Sequence, residues 1–126
     1  MEKRIITTSN APAPIGPYSQ AVLINGTLYC SGQIALHPAT GELKQANIKE
    51  ETTQVMENIS ALLKEANMDF GHVVKTTIFL SDMALFQEVN AVYSDYFKSD
   101  FPARETVAVK GLPKNANVEI SVVAVK

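Results

Sequence analysis

The chain has 126 residues, a length that suits one compact domain over residues 1–126 and leaves no room for a second core. It is 46% hydrophobic and 19% charged, which is typical of a globular protein and not of a disordered one. The net charge is −2 and no basic block occurs, so a nucleic-acid partner has little electrostatic support.

The first third of the chain predicts a strand, a loop and a hairpin. A short strand is predicted over residues 3–8, and the prolines within residues 10–20 then predict an ordered loop, because proline fixes φ and removes a donor. The pair Asn25-Gly26 lies between two apolar runs and predicts a β-hairpin with a type I′ turn. Residues 37–41 have the composition of a further turn.

A long amphipathic helix is predicted next. From Ile48 to Ala66 the apolar residues recur every three or four positions, which is the period of one helix face. Asn47 is the predicted N-cap, and Asn67 suits the exit. The charged residues lie mostly off the apolar stripe, and we expect a solvated helix face to hold them: Glu50 (also the capping-box partner of Asn47), Glu51, Glu57, Lys64 and Glu65.

The second half of the chain predicts strand, helix, strand and strand. Residues 72–82 are rich in β-branched side chains and predict a strand that ends at Asp82, the predicted cap of a second helix over about residues 83–98. Pro102 is predicted to stop that helix. Two strands are predicted over about residues 104–109 and 117–125.

Two helices and five or six strands in this order predict a two-layer α+β domain with a mixed sheet and both helices on one sheet face. In the last strand both sets of alternating residues are apolar toward the C-terminal end. The helices need only one of the two faces. We therefore expect the other face to meet another copy of the chain, although the pattern indicates no symmetry.

The composition also limits the location and the chemistry. Cys30 is the only cysteine, which excludes an internal disulfide, fits a reducing compartment and predicts a buried, inert thiol. The N-terminal residues lack the apolar run of a signal peptide and no stretch reaches membrane-spanning length, so we expect a cytoplasmic protein without a membrane partner. His37 and His72 lack the supporting ligands of a metal site, and we expect surface histidines.

Several polar residues lie where apolar ones are expected. Asn90 falls on the apolar stripe of the second helix, where we expect it to bond the backbone that it covers. Glu119 lies in the last strand, either at an exposed position or in a functional role, and Tyr18 is either a packing anchor or a ligand contact. Ser31 and Gly32 end the hairpin, where small residues allow close backbone approach.

Arg104 is one of only two arginines, and it begins a strand directly after Pro102 and Ala103. With Thr106 and Ala108 it shares one face of that strand. The planar guanidinium donates two parallel hydrogen bonds to a carboxylate, which a lysine cannot do. Two interpretations remain open, a clamp for a ligand carboxylate and a surface ion pair with a nearby acid.

Eight segments of the chain, in their shared order, resemble the Rid family (reactive intermediate deaminases, also called the YjgF family). They extend from about residue 5 to the C-terminus, so the resemblance covers nearly the whole chain. Each segment alone is weakly specific, whereas their common order is highly specific. The segments are APAPIGPYSQAV, SGQI, HPATGEL, VVKTTIFLSDM, FQEVNAVYSDYF, FPARETVAV, LPKNANVEI and VVAV.

The resemblance implies a chorismate-mutase-like fold and a homotrimer with ligand clefts between subunits. It also implies hydrolysis of 2-imino acids, which arise from the enamines that pyridoxal-phosphate dehydratases release. The implied substrates are 2-iminobutanoate and 2-iminopropanoate, and the products are 2-keto acids and ammonia. No cofactor, metal, nucleic acid or membrane takes part in the implied activity.

The resemblance also implies roles for individual residues. Arg104 matches the arginine that binds the substrate carboxylate, and Glu119 matches the acid that holds or activates the attacking water. Thr106 stands where bacterial relatives often carry cysteine, which excludes a thiol contribution at that position. Other positions that match the lining or support of the cleft are Tyr18, Ser31, Gly32 and Asn90.

Three hypotheses follow for the function. The leading one is a trimeric 2-imino acid deaminase. The second is a protein of the same fold that binds a keto acid or an amino acid without turnover. The third is an RNA-cleaving or RNA-binding protein, an activity of some animal relatives, and the net charge and the scarcity of arginine count against it.

Overall fold

Six strands form one mixed sheet in the computed structural model, which describes residues 2–126. The strands are β1 (Arg4–Ile6), β2 (Ala21–Ile24), β3 (Thr27–Cys30), β4 (Val73–Leu80), β5 (Ala103–Ala108) and β6 (Val118–Val125). The helices are α1 (Ile48–Glu65) and α2 (Phe86–Ser94). The strand order is β1-β2-β3-β6-β4-β5, with β4 and β5 parallel and the other pairs antiparallel. The predicted α+β architecture is confirmed.

The β2–β3 hairpin turns at Asn25 and Gly26, as predicted. Their φ angles are 49° and 76°, and a type I′ turn requires positive φ at both central positions. A Cβ on Gly26 would lie 2.7 Å from the Lys126 carbonyl oxygen, and the Lys126 N–H donates to the Gly26 carbonyl at 2.9 Å. Glycine is therefore needed here for its φ and for the close approach of the C-terminal strand.

Helix α1 begins and ends where the sequence predicts. The Asn47 side chain accepts from the Glu50 N–H at 2.8 Å, so one of the four free donors of the first turn has a partner. After the helix, Asn67 has a φ of 59°, a left-handed conformation typical of the residue that follows a helix. The apolar stripe is fully buried against the sheet through Val55, Met56, Ile59, Leu62 and Leu63.

Glu51 is buried and does not lie on the solvated face of α1, so the prediction for this residue is wrong. It is 0% exposed. Its Oε2 accepts from the Asn117 backbone N–H at 2.7 Å, and its Oε1 accepts from the Asn117 side-chain amide at 3.0 Å. A carboxylate tolerates burial when hydrogen bonds satisfy its oxygens. Glu51 thereby ties the start of β6 to α1.

Helix α2 is shorter than predicted. A 3₁₀ turn, capped by Asp82, precedes it at Met83–Leu85, and the helix ends at Ser94 instead of near residue 98. Beyond Ser94 the N–H groups of Tyr96 and Phe97 bond to carbonyls three residues back, which tightens the chain out of α-helical geometry. The helix therefore ends well before Pro102, and that proline does not stop it.

The two faces of the sheet differ in their covering. One face packs against both helices and is buried through Ile78, Leu80, Val118, Ile120 and Val122. The opposite face, here called the open face, carries Ile5 at 48% exposure, Tyr29 at 51%, Val107 at 43% and Val125 at 44%. The predicted uncovered apolar face is confirmed, and its contact with another copy stays a prediction.

The buried Glu51 carboxylate generates a test of stability. Glu51→Ala leaves the backbone and side-chain donors of Asn117 without acceptors, so we expect the free energy of unfolding to fall by about 3 kcal/mol. Glu50→Ala, at the neighbouring exposed position, should cost less than about 1 kcal/mol. Urea denaturation of both variants at one protein concentration measures this, and equal losses would contradict the anchoring role of Glu51.

Candidate active site

Arg104 lies on the helix-covered side of the edge strand β5, opposite Thr76 of β4. Its Nη1 donates to the Asn90 side-chain oxygen at 2.7 Å. Its Cζ lies 5.0 Å from the centre of the Tyr93 ring and 5.7 Å from that of Phe86. Three side chains of α2 therefore surround a half-buried guanidinium with one amide and two aromatic rings.

This arrangement excludes one of the two interpretations of Arg104 that the sequence leaves open, and the carboxylate clamp stays a prediction. Among residues 2–126, no carboxylate lies within 4.0 Å of the guanidinium, so the surface ion pair is wrong. Asn90 accepts a bond from Arg104, so the expected bond to covered backbone is wrong as well. A guanidinium has five N–H donors and Asn90 takes one, which leaves donors for an anionic ligand. A hollow of about 430 Å³ borders it, lined by Asn90, Tyr93, Ser94, Phe101, Pro102 and Arg104.

A second hollow, of about 360 Å³, contains Glu119. Tyr18 and Gly32 line it too, and much of the remaining wall is apolar: Pro12, Ala13, Ile15, Ile34, Leu36 and Pro113. Burial raises the pKa of the half-buried Glu119 carboxyl above its ordinary value. A carboxyl group in this setting binds a proton more readily than an exposed one, which suits proton transfer.

Gly32 makes room for the Glu119 carboxylate. A Cβ at position 32 would lie 2.9 Å from the Glu119 carboxyl carbon and closer still to Oε2. The predicted close approach is therefore present at Gly32, and the group that approaches is the Glu119 side chain and not another backbone segment. Ser31 stands behind the hollow, because its hydroxyl donates to the Ser19 carbonyl at 2.6 Å and its N–H donates to the Gln20 carbonyl at 2.9 Å.

The loop that carries Tyr18 is fastened by its own polar groups. The Tyr18 hydroxyl accepts from the Ile15 N–H at 3.1 Å, and the ring is half exposed beside the hollow. Gln20, which is buried, receives the Thr8 N–H on its carbonyl oxygen and donates to the carbonyls of Thr8, Ala11 and Pro12. Sequence analysis did not identify Gln20 as the anchor, because nothing in a single glutamine between loop and strand signals these contacts.

A single chain does not bring Arg104 and Glu119 together. Arg104 faces the helices, whereas Glu119 projects from β6 on the open face, in one row with Phe79 and Val107. Val107 lies three residues beyond Arg104, which is about 10 Å along the strand. The structure therefore groups Arg104 with Asn90, and Tyr18 with Gly32 and Glu119, on opposite faces of one sheet.

Two side chains of the Arg104 pocket escaped the sequence analysis as site residues. Phe86 and Tyr93 lie four residues before and three residues after Asn90, and this spacing puts all three on one face of α2. The apolar residues of a core-facing helix stripe have the same spacing, so the spacing does not distinguish site residues from core residues.

Thr106 lies on the Arg104 side of β5. Its hydroxyl oxygen is buried and has no hydrogen-bond partner in the described chain, which the sequence did not predict.

Cys30, His37 and His72 line neither hollow. Burial raises the pKa of the Cys30 thiol to about 12, which agrees with the predicted inert role. The Nδ1 atoms of His37 and His72 accept from the N–H groups of Ala39 and Asp69. Within residues 2–126 no three His, Cys, Asp or Glu side chains are grouped as metal ligands would be. No helix of this part is long and apolar enough to cross a membrane.

Known proteins are similar to this chain over nearly its whole length. The sequence profile of the Endoribonuclease L-PSP family matches residues 8–126. A protein of Lactococcus lactis that carries the regulator name AldR is 54% identical over 96% of each chain. The human 2-iminobutanoate/2-iminopropanoate deaminase is 48% identical over 98% of this chain and 90% of its own. The crystal structure of YyfA, a Rid-family protein of Yersinia pestis, superimposes with a TM-score of 0.96 at 50% identity, covering 99% and 100% of the two chains.

The raised pKa of Glu119 predicts a pH dependence of stability. The folded state binds this proton more tightly than the unfolded state, so its contribution is fully present below pH 4.5 and is lost as the pH rises through the higher folded pKa. Glu119→Gln cannot ionise. We therefore expect the free energy of unfolding of Glu119→Gln to increase relative to that of the wild type as the pH rises through this window.

Urea denaturation at a series of pH values from below 4.5 to neutral measures that gain. Glu88→Gln, at an exposed position on α2, is measured in the same series as the matched control. A difference between Glu119→Gln and the wild type that does not change with pH would contradict the burial of Glu119.

Proposed function

The chain belongs to the Rid family, which is also described as the endoribonuclease L-PSP family, and on that premise we propose that it hydrolyses 2-imino acids to 2-keto acids and ammonia. The substrates are 2-iminobutanoate and 2-iminopropanoate, which form from the enamines that pyridoxal-phosphate dehydratases release. The human relative bears the name of this activity and matches nearly the whole chain. The observation that carries the proposal is the Arg104 guanidinium with unused donors, held by Asn90 beside an open hollow.

The proposed active protein is a homotrimer with each site in a cleft between two subunits. Two observations support this assembly. Arg104 and Glu119 face opposite sides of the sheet in one chain, so two chains are needed to place both beside one small substrate. The open face also exposes apolar side chains that an oligomer would bury. The number three comes from the family resemblance.

In the proposed mechanism Arg104 binds the substrate carboxylate with two parallel N–H donors. The bond to Asn90 and the two flanking rings limit the positions of the guanidinium, so the bound substrate is oriented before the reaction begins. The acceleration expected from this orientation is entropic. Because the site holds the reacting carbon near the water, an encounter of two free molecules becomes a step within one complex.

In the proposed mechanism Glu119 accepts and donates the proton. Its carboxylate holds a water molecule against the carbon of the protonated imine and takes a proton as the water oxygen forms its bond to that carbon, which gives a neutral tetrahedral carbinolamine. The same group then returns that proton to the amino nitrogen. The carboxylate next takes the proton of the carbinolamine hydroxyl as the C=O bond forms and the C–N bond breaks. Ammonia and the 2-keto acid leave, and Glu119 loses its proton to solvent. Burial raises the pKa of Glu119, and a carboxyl group that both accepts and donates protons near neutral pH needs such a shift. The proposed reaction is a hydrolysis and uses no cofactor.

The arginine test compares two variants that each remove one guanidinium. Because Arg104 binds the carboxylate, Arg104→Ala should lower kcat/KM at least about tenfold, whereas Arg4→Ala, at an exposed position near the N-terminus, should leave it unchanged. The assay supplies threonine dehydratase and threonine, adds a nucleophilic trap for the imine, and follows keto-acid release. Full activity of Arg104→Ala would remove Arg104 from the mechanism. Wild-type protein without effect on keto-acid release would reject the deaminase.

The composite cleft makes a second, sharper prediction. Arg104→Ala and Glu119→Gln each lack one half of the site, so each alone should be inactive. When the two variants are unfolded, mixed in equal amounts and refolded, every mixed trimer contains one junction with both halves intact. We therefore expect about a quarter of wild-type activity to return. No recovery in mixed trimers, verified by native mass spectrometry, would contradict a site shared between subunits.

A protein of the same fold that binds a keto acid without turnover is the alternative. It predicts that 2-ketobutyrate binds in calorimetry while keto-acid release in the dehydratase assay is unaffected.

The description of the family as an endoribonuclease raises a further candidate, an RNA-cleaving protein. The net charge of −2 and only two arginines disfavour a phosphate-backbone ligand. Salt-dependent RNA binding or cleavage by the purified protein would revive that candidate.

The proposed location is the cytoplasm, because a single free cysteine suits a reducing compartment.

A further inference from the structure

Tyr93 lies beneath the guanidinium of Arg104. The distance from Cζ of Arg104 to the ring centre is 5.0 Å, shorter than the 5.7 Å to Phe86. Tyr93 is 4% exposed, so its ring is fixed in the core while one face contacts the cation. Of the side chains around Arg104, it is the one that connects the guanidinium to the rigid interior.

The hydroxyl of Tyr93 fixes the ring in place. It donates to the Oγ1 of Thr76 at 3.0 Å, and Thr76 is 0% exposed. Thr76 is also the residue opposite Arg104 in the β4–β5 register. Thr76, which anchors the Tyr93 ring, therefore lies directly beside Arg104 in the sheet. Burial raises the pKa of Tyr93, while the bond to Thr76 and the charge of Arg104 oppose the rise.

We propose that Tyr93 is a positioning residue for Arg104: its ring, anchored through its hydroxyl to Thr76, holds the guanidinium at the place where the substrate carboxylate binds. The proposal rests on the proposed function in one respect only, that the ligand of Arg104 is the substrate carboxylate. Asn90 constrains one end of the guanidinium at 2.7 Å. The Tyr93 ring supplies a second constraint, because Cζ of Arg104 lies over the ring at 5.0 Å from its centre.

A matched pair of double variants isolates the ring from the buried hydrogen bond. Tyr93→Phe alone would leave the Thr76 hydroxyl buried without its partner, so each variant also carries Thr76→Val, which removes both partners together. Tyr93→Phe/Thr76→Val keeps the aromatic ring beneath Arg104. Tyr93→Leu/Thr76→Val replaces it with an aliphatic side chain. Thermal unfolding of both establishes that they fold and assemble alike.

The first measurement is steady-state kinetics with the imine assay. When the ring is lost, the bond to Asn90 still holds the guanidinium and the bound substrate keeps its orientation. Loss of the ring should therefore weaken carboxylate binding in the ground state and in the transition state alike, which appears mainly in KM. We expect the KM of Tyr93→Leu/Thr76→Val to exceed that of Tyr93→Phe/Thr76→Val by about fivefold to thirtyfold. The kcat values of the two should agree within about threefold. Equal KM values would overturn the proposal, because a ring with only a packing role would not separate the two variants in this way.

The second measurement does not depend on turnover. Phenylglyoxal modifies arginine side chains, and the chain has only Arg4 and Arg104, so mass spectrometry can follow both in one sample with Arg4 as internal reference. Loss of the ring should raise the rate of Arg104 modification relative to Arg4 at least about threefold over that of Tyr93→Phe/Thr76→Val. Equal ratios would overturn the positioning role. If the wild type shows no turnover, the deaminase proposal fails, and this ratio still decides the role of Tyr93.

Discussion

The register of β4 against its two neighbours determines where the functional side chains lie. Thr76 lies opposite Arg104 on one side and Val122 on the other, so Arg104 shares the helix-covered face with the core. Because side chains alternate along a strand, the same register places Glu119 on the open face. A shift of one residue in β5 would move Arg104 away from Asn90 and Tyr93. The placement of Arg104 and Glu119 therefore depends on strand pairing before it depends on any side-chain contact.

Helix α2 covers Arg104 and surrounds its guanidinium. The helix is short, with only nine residues, and it presents Phe86, Asn90 and Tyr93 to the arginine from one face. An amide within hydrogen-bond distance and two neighbouring rings hold the guanidinium without neutralising it. Since no acid pairs with the cation within residues 2–126, its charge stays available for a ligand. An ion pair with a surface acid would have neutralised the charge of Arg104.

Much of the fold follows from short-range patterns in the sequence. The Asn25-Gly26 turn, the Asn47 cap and the apolar stripe of α1 depend on local chemistry, and the structure confirms each of them. The burial of Glu51 could not be predicted, because its partner Asn117 is 66 residues away and only the packed domain brings the two together. Directly after the end of α2, the rings of Tyr96 and Phe97 contact Phe70, which is likewise distant in the sequence. For the site, sequence alone selected Arg104 and Glu119 as unusual, but their separation on opposite faces needed the strand register.

A crystal structure of the protein with 2-ketobutyrate bound would show whether two subunits share one site. We expect the ligand carboxylate to lie within hydrogen-bond distance of the Arg104 guanidinium of one subunit. The keto carbon should face the Glu119 carboxylate of a neighbouring subunit, with Tyr18 and Gly32 of that second subunit beside it. A ligand bound by residues of a single chain, or bound away from Arg104, would contradict the account.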